Sequence, residues 1–163
     1  MQQLKGRLRE PKLRRHIENA AFGWIVFAAL WIMDRATKQL AQLYLSAAAG
    51  NESSGFLSLS LHHNRGISFG LLQNFPFAGL AASISGVVIL GLLCWKNATL
   101  RSMFGVIFLW AGAICNLTDR LLYGYVIDWL YVGLYVNLAD IWLGMGCVMV
   151  FLHYANASEE GEM

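Results

Sequence analysis

Charge is scarce in this sequence. Asp, Glu, Lys and Arg together make up 13% of its 163 residues, about half the share found in ordinary globular domains. With 57% hydrophobic residues, a soluble chain of this length would expose large apolar patches. A soluble domain is thereby excluded and a lipid-embedded one is expected. Lys and Arg are missing altogether between residues 121 and 163. Cysteine is limited to Cys94, Cys115 and Cys147, odd in number and all within apolar runs. That pattern argues for packed thiols, not a disulfide framework or a metal site. Neither a Gly-rich phosphate loop nor a nucleophile elbow is found. Without an internal repeat, low-complexity tract or linker, residues 1–163 are expected to form one domain.

Four apolar segments stand out. The first runs from about Ala20 to Met33 and continues less apolarly to Leu45. Phe75 to Trp95 is the cleanest, a charge-free stretch long enough for a hydrocarbon core of roughly 30 Å, with Pro76 at its start, where a missing N–H is harmless. Met103–Leu117 and Ile141–Tyr154 are shorter, and reach spanning length only by drawing in flanking polar residues. A signal peptide ending at Ser46-Ala47-Ala48-Ala49 is excluded. The basic stretch before it is too long, and Asp34, Arg35 and Lys38 fall between apolar run and cleavage site.

The basic residues set an orientation. Lys5, Arg7, Arg9, Lys12, Arg14 and Arg15 are half of the 12 Lys and Arg. Beside an apolar span such a cluster reads as a cytoplasmic anchor, not a nucleic-acid site. The short Lys96–Arg101 loop should be cytoplasmic too, which is consistent if two spans lie between them. Residues 1–16 and 155–163 are then cytoplasmic, and the connections Gln39–Asn74 and Asp119–Asn137 lie outside. Phe56–His62 alternates apolar and polar residues, and Tyr125–Tyr135 is rich in Val, Ile, Tyr and Trp around Gly133. The expected fold is therefore mainly α, with four transmembrane helices and a small extracytoplasmic β-sheet.

On this topology Asp34, Asp119, Asp128 and Asp140 fall at one depth, near the outer interface. Ionisable groups at such depths cost several kcal/mol unless paired or wet. Asp34 and Lys38 stand four apart, the spacing of a helical ion pair; Asp119 and Arg120 can bind interfacial water or backbone. Structural roles are expected for Asp34, Lys38 and Asp119. Asp128 and Asp140 have no cation near them in sequence. Two such carboxylates tend to share a proton, the charged member activating water and the protonated one polarising a carbonyl. That apparatus hydrolyses peptides without a metal or cofactor. The histidines do not supply a metal site: His62 and His63 are adjacent, His16 and His153 sit at cytoplasmic ends, and zinc needs three convergent ligands. A small transporter using buried acids is the other class, although no inverted repeat is visible.

Five motifs resemble those of signal peptidase II, the lipoprotein signal peptidase family of aspartyl peptidases. Asp34-Arg-Ala-Thr37-Lys38 resembles its D-x-x-[ST]-K box. Asn64-Arg-Gly66-Ile-Ser-Phe69-Gly resembles its N-x-G-x-[AS]-F box, and Ala111-Gly-Ala-Ile-Cys-Asn116-Leu-Thr-Asp119-Arg120 its GGA-x-GN-x-x-DR box. Val126-Ile-Asp128-Trp is similar to V-V-D-F, and Asn137-Leu-Ala-Asp140 to N-x-A-D. The boxes occur in the family's order over residues 30–145.

The resemblance implies a catalytic pair, Asp128 and Asp140. Asn64, Gly66, Asn116, Arg120, Asn137 and Ala139 would line the site, with Asp34, Lys38 and Asp119 as supporting polar residues. It implies a prolipoprotein substrate cut before a diacylglyceryl-modified cysteine, acted on by a monomer in the bacterial inner membrane among membrane lipids. Two features depart from the family: Cys115 stands where a glycine precedes the asparagine, and the twelve-residue step from Asp128 to Asp140 is short. The alternative is a divergent or non-catalytic paralogue, a membrane binder or small transporter that keeps the fold.

Overall fold

The computed structural model describes residues 2–45, 57–66, 75 and 77–160, and side chains from residue 20 onward except 101–102 and 158–160. Ser46–Ala49, Phe56, Pro76 and the later half of the Asn64–Gly70 box lie outside the described residues. In chain order the elements are α1 (Gln2–Leu45), β1 (Ser58–Asn64), α2 (Ala78–Lys96), α3 (Ala98–Ser102), α4 (Gly105–Tyr123), β2 (Val126–Tyr131), β3 (Tyr135–Val136) and α5 (Leu138–Glu160). Four segments are long and apolar enough to cross a membrane: Ala20–Leu45, Ala78–Lys96, Gly105–Tyr123 and Leu138–Ala157. The expected number of spans and the small sheet are both present.

The boundaries differ from expectation in an instructive way. Helix α4 does not stop at Leu117 but runs through Asn116, Asp119 and Arg120 to Tyr123. Its polar residues find partners inside the bundle, so the apolar run understates its length. It ends at Gly124, whose φ of 78° closes the helix with a bond from its N–H to the Arg120 carbonyl. Asp119 is thus a helical residue and not part of the following connection. Helix α5 starts at Leu138, earlier than Ile141, for a reason visible in the sequence. The Asn137 side-chain oxygen accepts from the Asp140 N–H at 3.1 Å, and the Asp140 carboxylate accepts from the Asn137 N–H at 3.1 Å. This reciprocal box satisfies two backbone donors that a helix start leaves unpaired. The Lys96–Arg101 segment, read as a loop, holds most of α3, capped by Asn97 accepting from the Leu100 N–H at 2.9 Å.

Helix α4 is the central span and packs against α1, α2 and α5. Much of the other three spans is apolar and outward-facing: Trp24, Ile25, Ile89, Leu92 and Phe151 are all exposed, as a lipid-facing surface requires. With no water to expel between helices in lipid, association depends on close backbone approach. Gly112 supplies it between α4 and α5. A Cβ there would overlap the Ala139 carbonyl and stand 2.6 Å from Leu143 Cγ. Gly146 does the same from α5, where a Cβ would lie 2.8 Å from the Gly105 carbonyl. Of the three cysteines, Cys94 and Cys115 are buried, whereas Cys147 is exposed on α5 and not packed inside.

The sheet has the order β1-β2-β3, antiparallel throughout. Strand β1 begins two residues later than expected and carries a bulge between Leu59 and His62, which interrupts the alternation of Phe56–His62. Beyond it, His62 pairs with Asp128. Strands β2 and β3 form a tight hairpin whose turn contains Gly133 at φ 83°. The sheet lies where α1 and α4 end and α2 and α5 begin, so four helix ends and three strands meet at one end of the bundle.

Candidate active site

Two groups of carboxylates occupy that end of the bundle. Asp34, on α1, is fully buried and bonded to Lys38 at 2.8 Å. The Lys38 ammonium also reaches Asp119 of α4 at 2.8 Å and the Asn116 side-chain oxygen at 3.3 Å. Arg35 contacts both acids, Asp34 at 3.3 Å and Asp119 more closely. Two cations thus balance two carboxylates away from solvent, the condition under which buried charge is tolerable. Both acids accept backbone bonds as well. Asp34 accepts from the Ala139 N–H at 3.0 Å, and Asp119 from the Ile127 N–H at 3.3 Å. Each of these N–H groups belongs to the residue immediately before Asp140 or Asp128.

Asp128 and Asp140 form the other group. Among the described residues, neither has an ion pair. Asn137 joins them: its side-chain amide donates to Asp128 at 2.6 Å while its backbone N–H donates to Asp140 at 3.1 Å. Asn116 donates to the other Asp140 oxygen at 2.9 Å, and Asn64 to the other Asp128 oxygen at 3.1 Å. Burial, then the neighbouring Asp140, push Asp128 up from 3.8 to about 7, against the opposing bonds from Asn137 and Asn64 and the Lys38 charge. That rise penalises its charged form by about 4 kcal/mol, at 1.36 kcal/mol per pKa unit.

Both carboxylates face a cavity of about 510 Å³, whose polar end also holds Asn64, Asn116 and Arg120. Leu134, Tyr135 and Val136 of the hairpin form part of its wall, so the short step from Asp128 to Asp140 folds over the site as a tight strand pair. Tyr135 is held by stacking on His62, ring centres 4.4 Å apart. His63 turns instead to Tyr125, so the two histidines do diverge. Burial, with a smaller contribution from His63, lowers the His62 pKa below 6.5.

Of the six residues expected to line the site, Asn64, Asn116 and Arg120 line the cavity. Gly66, Asn137 and Ala139 are buried behind it. Asn137 ties the two acids together, Ala139 donates to Asp34, and the Gly66 carbonyl accepts from Arg120 at 2.8 Å. Arg120 does not pair with Asp119; it also donates to Ser83 of α2 at 2.9 Å, fastening the segment after β1 to two helices. Gly79 permits this, because a Cβ there would lie 2.8 Å from the Gly66 carbonyl. Sequence reasoning missed three contributors. Arg35 was legible as a second cation in the first span. Ser83 and Tyr135 carried no signal, since their partners are 37 residues or a sheet register away. Cys115 is fully buried and adjoins Asp34, Lys38 and Arg35.

Comparison with known proteins bears on the family of the chain. A sequence model of the signal peptidase (SPase) II family matches residues 26–156. A lipoprotein signal peptidase of Caulobacter vibrioides is 31% identical, the match covering 86% of this chain and 92% of that protein. One from Caldicellulosiruptor bescii is 29% identical over 84% of this chain and 93% of its own length. A bacterial membrane enzyme solved by the in meso method shares the fold, with a TM-score of 0.66, 21% identity and coverage of 86% of this chain and 91% of that one. A second such structure gives a TM-score of 0.61 at 22% identity, covering 82% and 92%. The chain belongs to the signal peptidase II family and is a membrane peptidase.

Proposed function

We propose that Asp128 and Asp140 are an aspartyl catalytic dyad that removes the signal peptide from a diacylglyceryl-modified prolipoprotein, cutting before the lipidated cysteine. One observation carries this reading: two carboxylates without an ion-pair partner among the described residues share Asn137 and face one cavity, while the two nearby acids are neutralised. The relatives' name, lipoprotein signal peptidase, supports the substrate class. With both termini cytoplasmic, as the basic residues of α1 and the Lys96–Arg101 segment favour, the site lies near the outer face of the inner membrane. One chain supplies every group named, so a monomer suffices.

In this mechanism the dyad holds a single proton. Its ionised member takes a proton from the attacking water, and its protonated member donates to the scissile carbonyl, so the tetrahedral intermediate forms without a covalent enzyme species. Collapse returns a proton to the leaving amine. The two acids titrate together, and the roles belong to the pair. Asn64, Asn116 and Asn137 orient the carboxylates, and Asp34 and Asp119 fix the backbone on which they sit.

A gel-shift assay on a lipidated precursor tests the reading. Asp128→Asn and Asp140→Asn should each lower cleavage more than a thousandfold, about 4 kcal/mol in barrier, while the inserted protein remains folded. Turnover at the normal rate by either variant refutes the dyad. Restored lipoprotein processing in a strain lacking its own enzyme separates the peptidase from a binder or transporter.

A further inference from the structure

A groove of about 560 Å³ lies between α1 and α4, on a different face of α4 from the cavity that holds the carboxylates. Ala20, Gly23, Trp24 and Phe27 of α1 line it against Trp110 and Ile114 of α4. The two helices come close where Gly23 meets Ile107, and a Cβ there would stand 3.3 Å from Ile107 Cδ1. Bulky rings border the groove, and Trp24 is 71% exposed. Gly23 is about 16 Å from Asp34 along α1, at 1.5 Å per residue, so the groove belongs to the half of the bundle away from the carboxylates. Helix α1 does not begin at the groove, for it reaches back to Gln2. Phe27, Gly23 and Ala20 continue at spacings of three and four to His16, Lys12, Arg9 and Lys5, which places all of them along one helical face. Arg7 and Arg14 stand on the opposite side of the helix by the same count, and the acids Glu10 and Glu18 fall off the stripe. An apolar groove and a cationic stripe are therefore in line.

We propose that the groove holds an acyl chain of an anionic phospholipid of the bilayer, whose phosphate lies on the stripe of His16, Lys12 and Arg9. Every bilayer lipid has a hydrocarbon tail that suits the groove, so the stripe is what selects among them. Other occupants are opposed by charge or shape. A second copy in the same bilayer runs parallel to the first and brings its own cationic stripe against this one. A signal peptide carries its basic n-region at its cytoplasmic end. In the orientation proposed above the stripe lies at that same end, so like charges meet again. The helix of another membrane partner needs small residues for close backbone approach, and Trp24, Phe27 and Trp110 hold it off. A phospholipid presents tail and negative headgroup in the order that groove and stripe present their complements, as basic pockets between spanning helices do elsewhere. No residue of this site belongs to the dyad or its cavity, so the inference is independent of the peptidase reading.

The test uses the full chain, freed of lipid in detergent, and native mass spectrometry to titrate three probes. Dioleoylphosphatidylglycerol should bind about tenfold or more tightly than dioleoylphosphatidylcholine, which has the same tails and no net charge. Glycerol 3-phosphate, a headgroup without tails, should not displace it. Arg9→Gln combined with Lys12→Gln should weaken the first phosphatidylglycerol about 25-fold, at about fivefold per charge. Arg7→Gln combined with Arg14→Gln removes the same charge from the opposite side and should change binding no more than about threefold. Ala20 is exposed, so Ala20→Phe fills the groove without entering the core; it should weaken both lipids about tenfold. Equal losses from the two double variants mean diffuse attraction and overturn the site. Unchanged lipid binding by Ala20→Phe, or no preference for phosphatidylglycerol in the unsubstituted chain, overturns it too. Displacement by glycerol 3-phosphate would assign the stripe to free phosphate, and dimers that lipid dissociates would assign the groove to a second copy; either result overturns the proposal. Cleavage is not measured, so loss of the dyad reading leaves this outcome untouched.

Discussion

Asp34 and Asp119 are chemically the same residue as Asp128 and Asp140, and all four lie at one end of the bundle, yet the fold treats the two sets oppositely. The first set is fully buried against Lys38 and Arg35. The second faces a cavity, bonded to three asparagines that supply donors without charge. An amide steadies a carboxylate's geometry without supplying charge, whereas the Lys38 ammonium at 2.8 Å balances that of Asp34. Charge balance, and not residue type, separates scaffold from chemistry. The sets are also joined. Asp34 and Asp119 each hold the backbone N–H just before a member of the other pair, so the neutral cluster sets where the reactive acids stand.

The sharpest way to break this comparison is to remove a scaffold acid. Asp119→Asn leaves Lys38 and Arg35 sharing one carboxylate, and should cost about 3–5 kcal/mol of stability, as loss of one partner of a buried pair does. Thermal unfolding in detergent reads it. Asp128→Asn, which removes a penalised charge, should leave the melting temperature unchanged or raised. Equal destabilisation by the two substitutions would erase the distinction.

The next effect depends on pH. The Asp128 pKa is raised from 3.8 to about 7 in the folded protein, so between these values the folded state binds more protons than the unfolded one. The contribution of this group to stability should therefore be fully present below about pH 4 and be lost as pH rises to about 7, by about 4 kcal/mol, then level off. Denaturation across the range in wild type and Asp128→Asn measures it, and the difference between the two curves should carry that slope.

Smaller effects sharpen the site itself. Removing the Asn64 donor takes away a bond that favours the Asp128 anion, so Asn64→Ala should move the alkaline limb of the cleavage profile upward by up to one pH unit. A downward shift would contradict the assigned cause. Least of all, His62→Ala removes the stack that steadies Tyr135. It should cost about 0.5–1.5 kcal/mol, seen as a several-fold rise in KM with little change in kcat.

The sequence by itself determined the membrane class, the number of spans, the gathering of the four aspartates at one end of the spans and the Asp34–Lys38 pair. These depend on composition, length and fixed helical spacing, which need no knowledge of partners. It also held the Asn137–Asp140 capping box, since two residues three apart define it. Only the tertiary structure decided that Asp119 belongs to Lys38 and Arg35 and not to Arg120, that Asn137 and Ala139 lie behind the cavity instead of in it, and that Ser83 and Tyr135 matter. Those outcomes turn on which helix faces meet across the bundle. Distance along a chain says nothing about that once hydrogen bonds and ion pairs join residues from different spans.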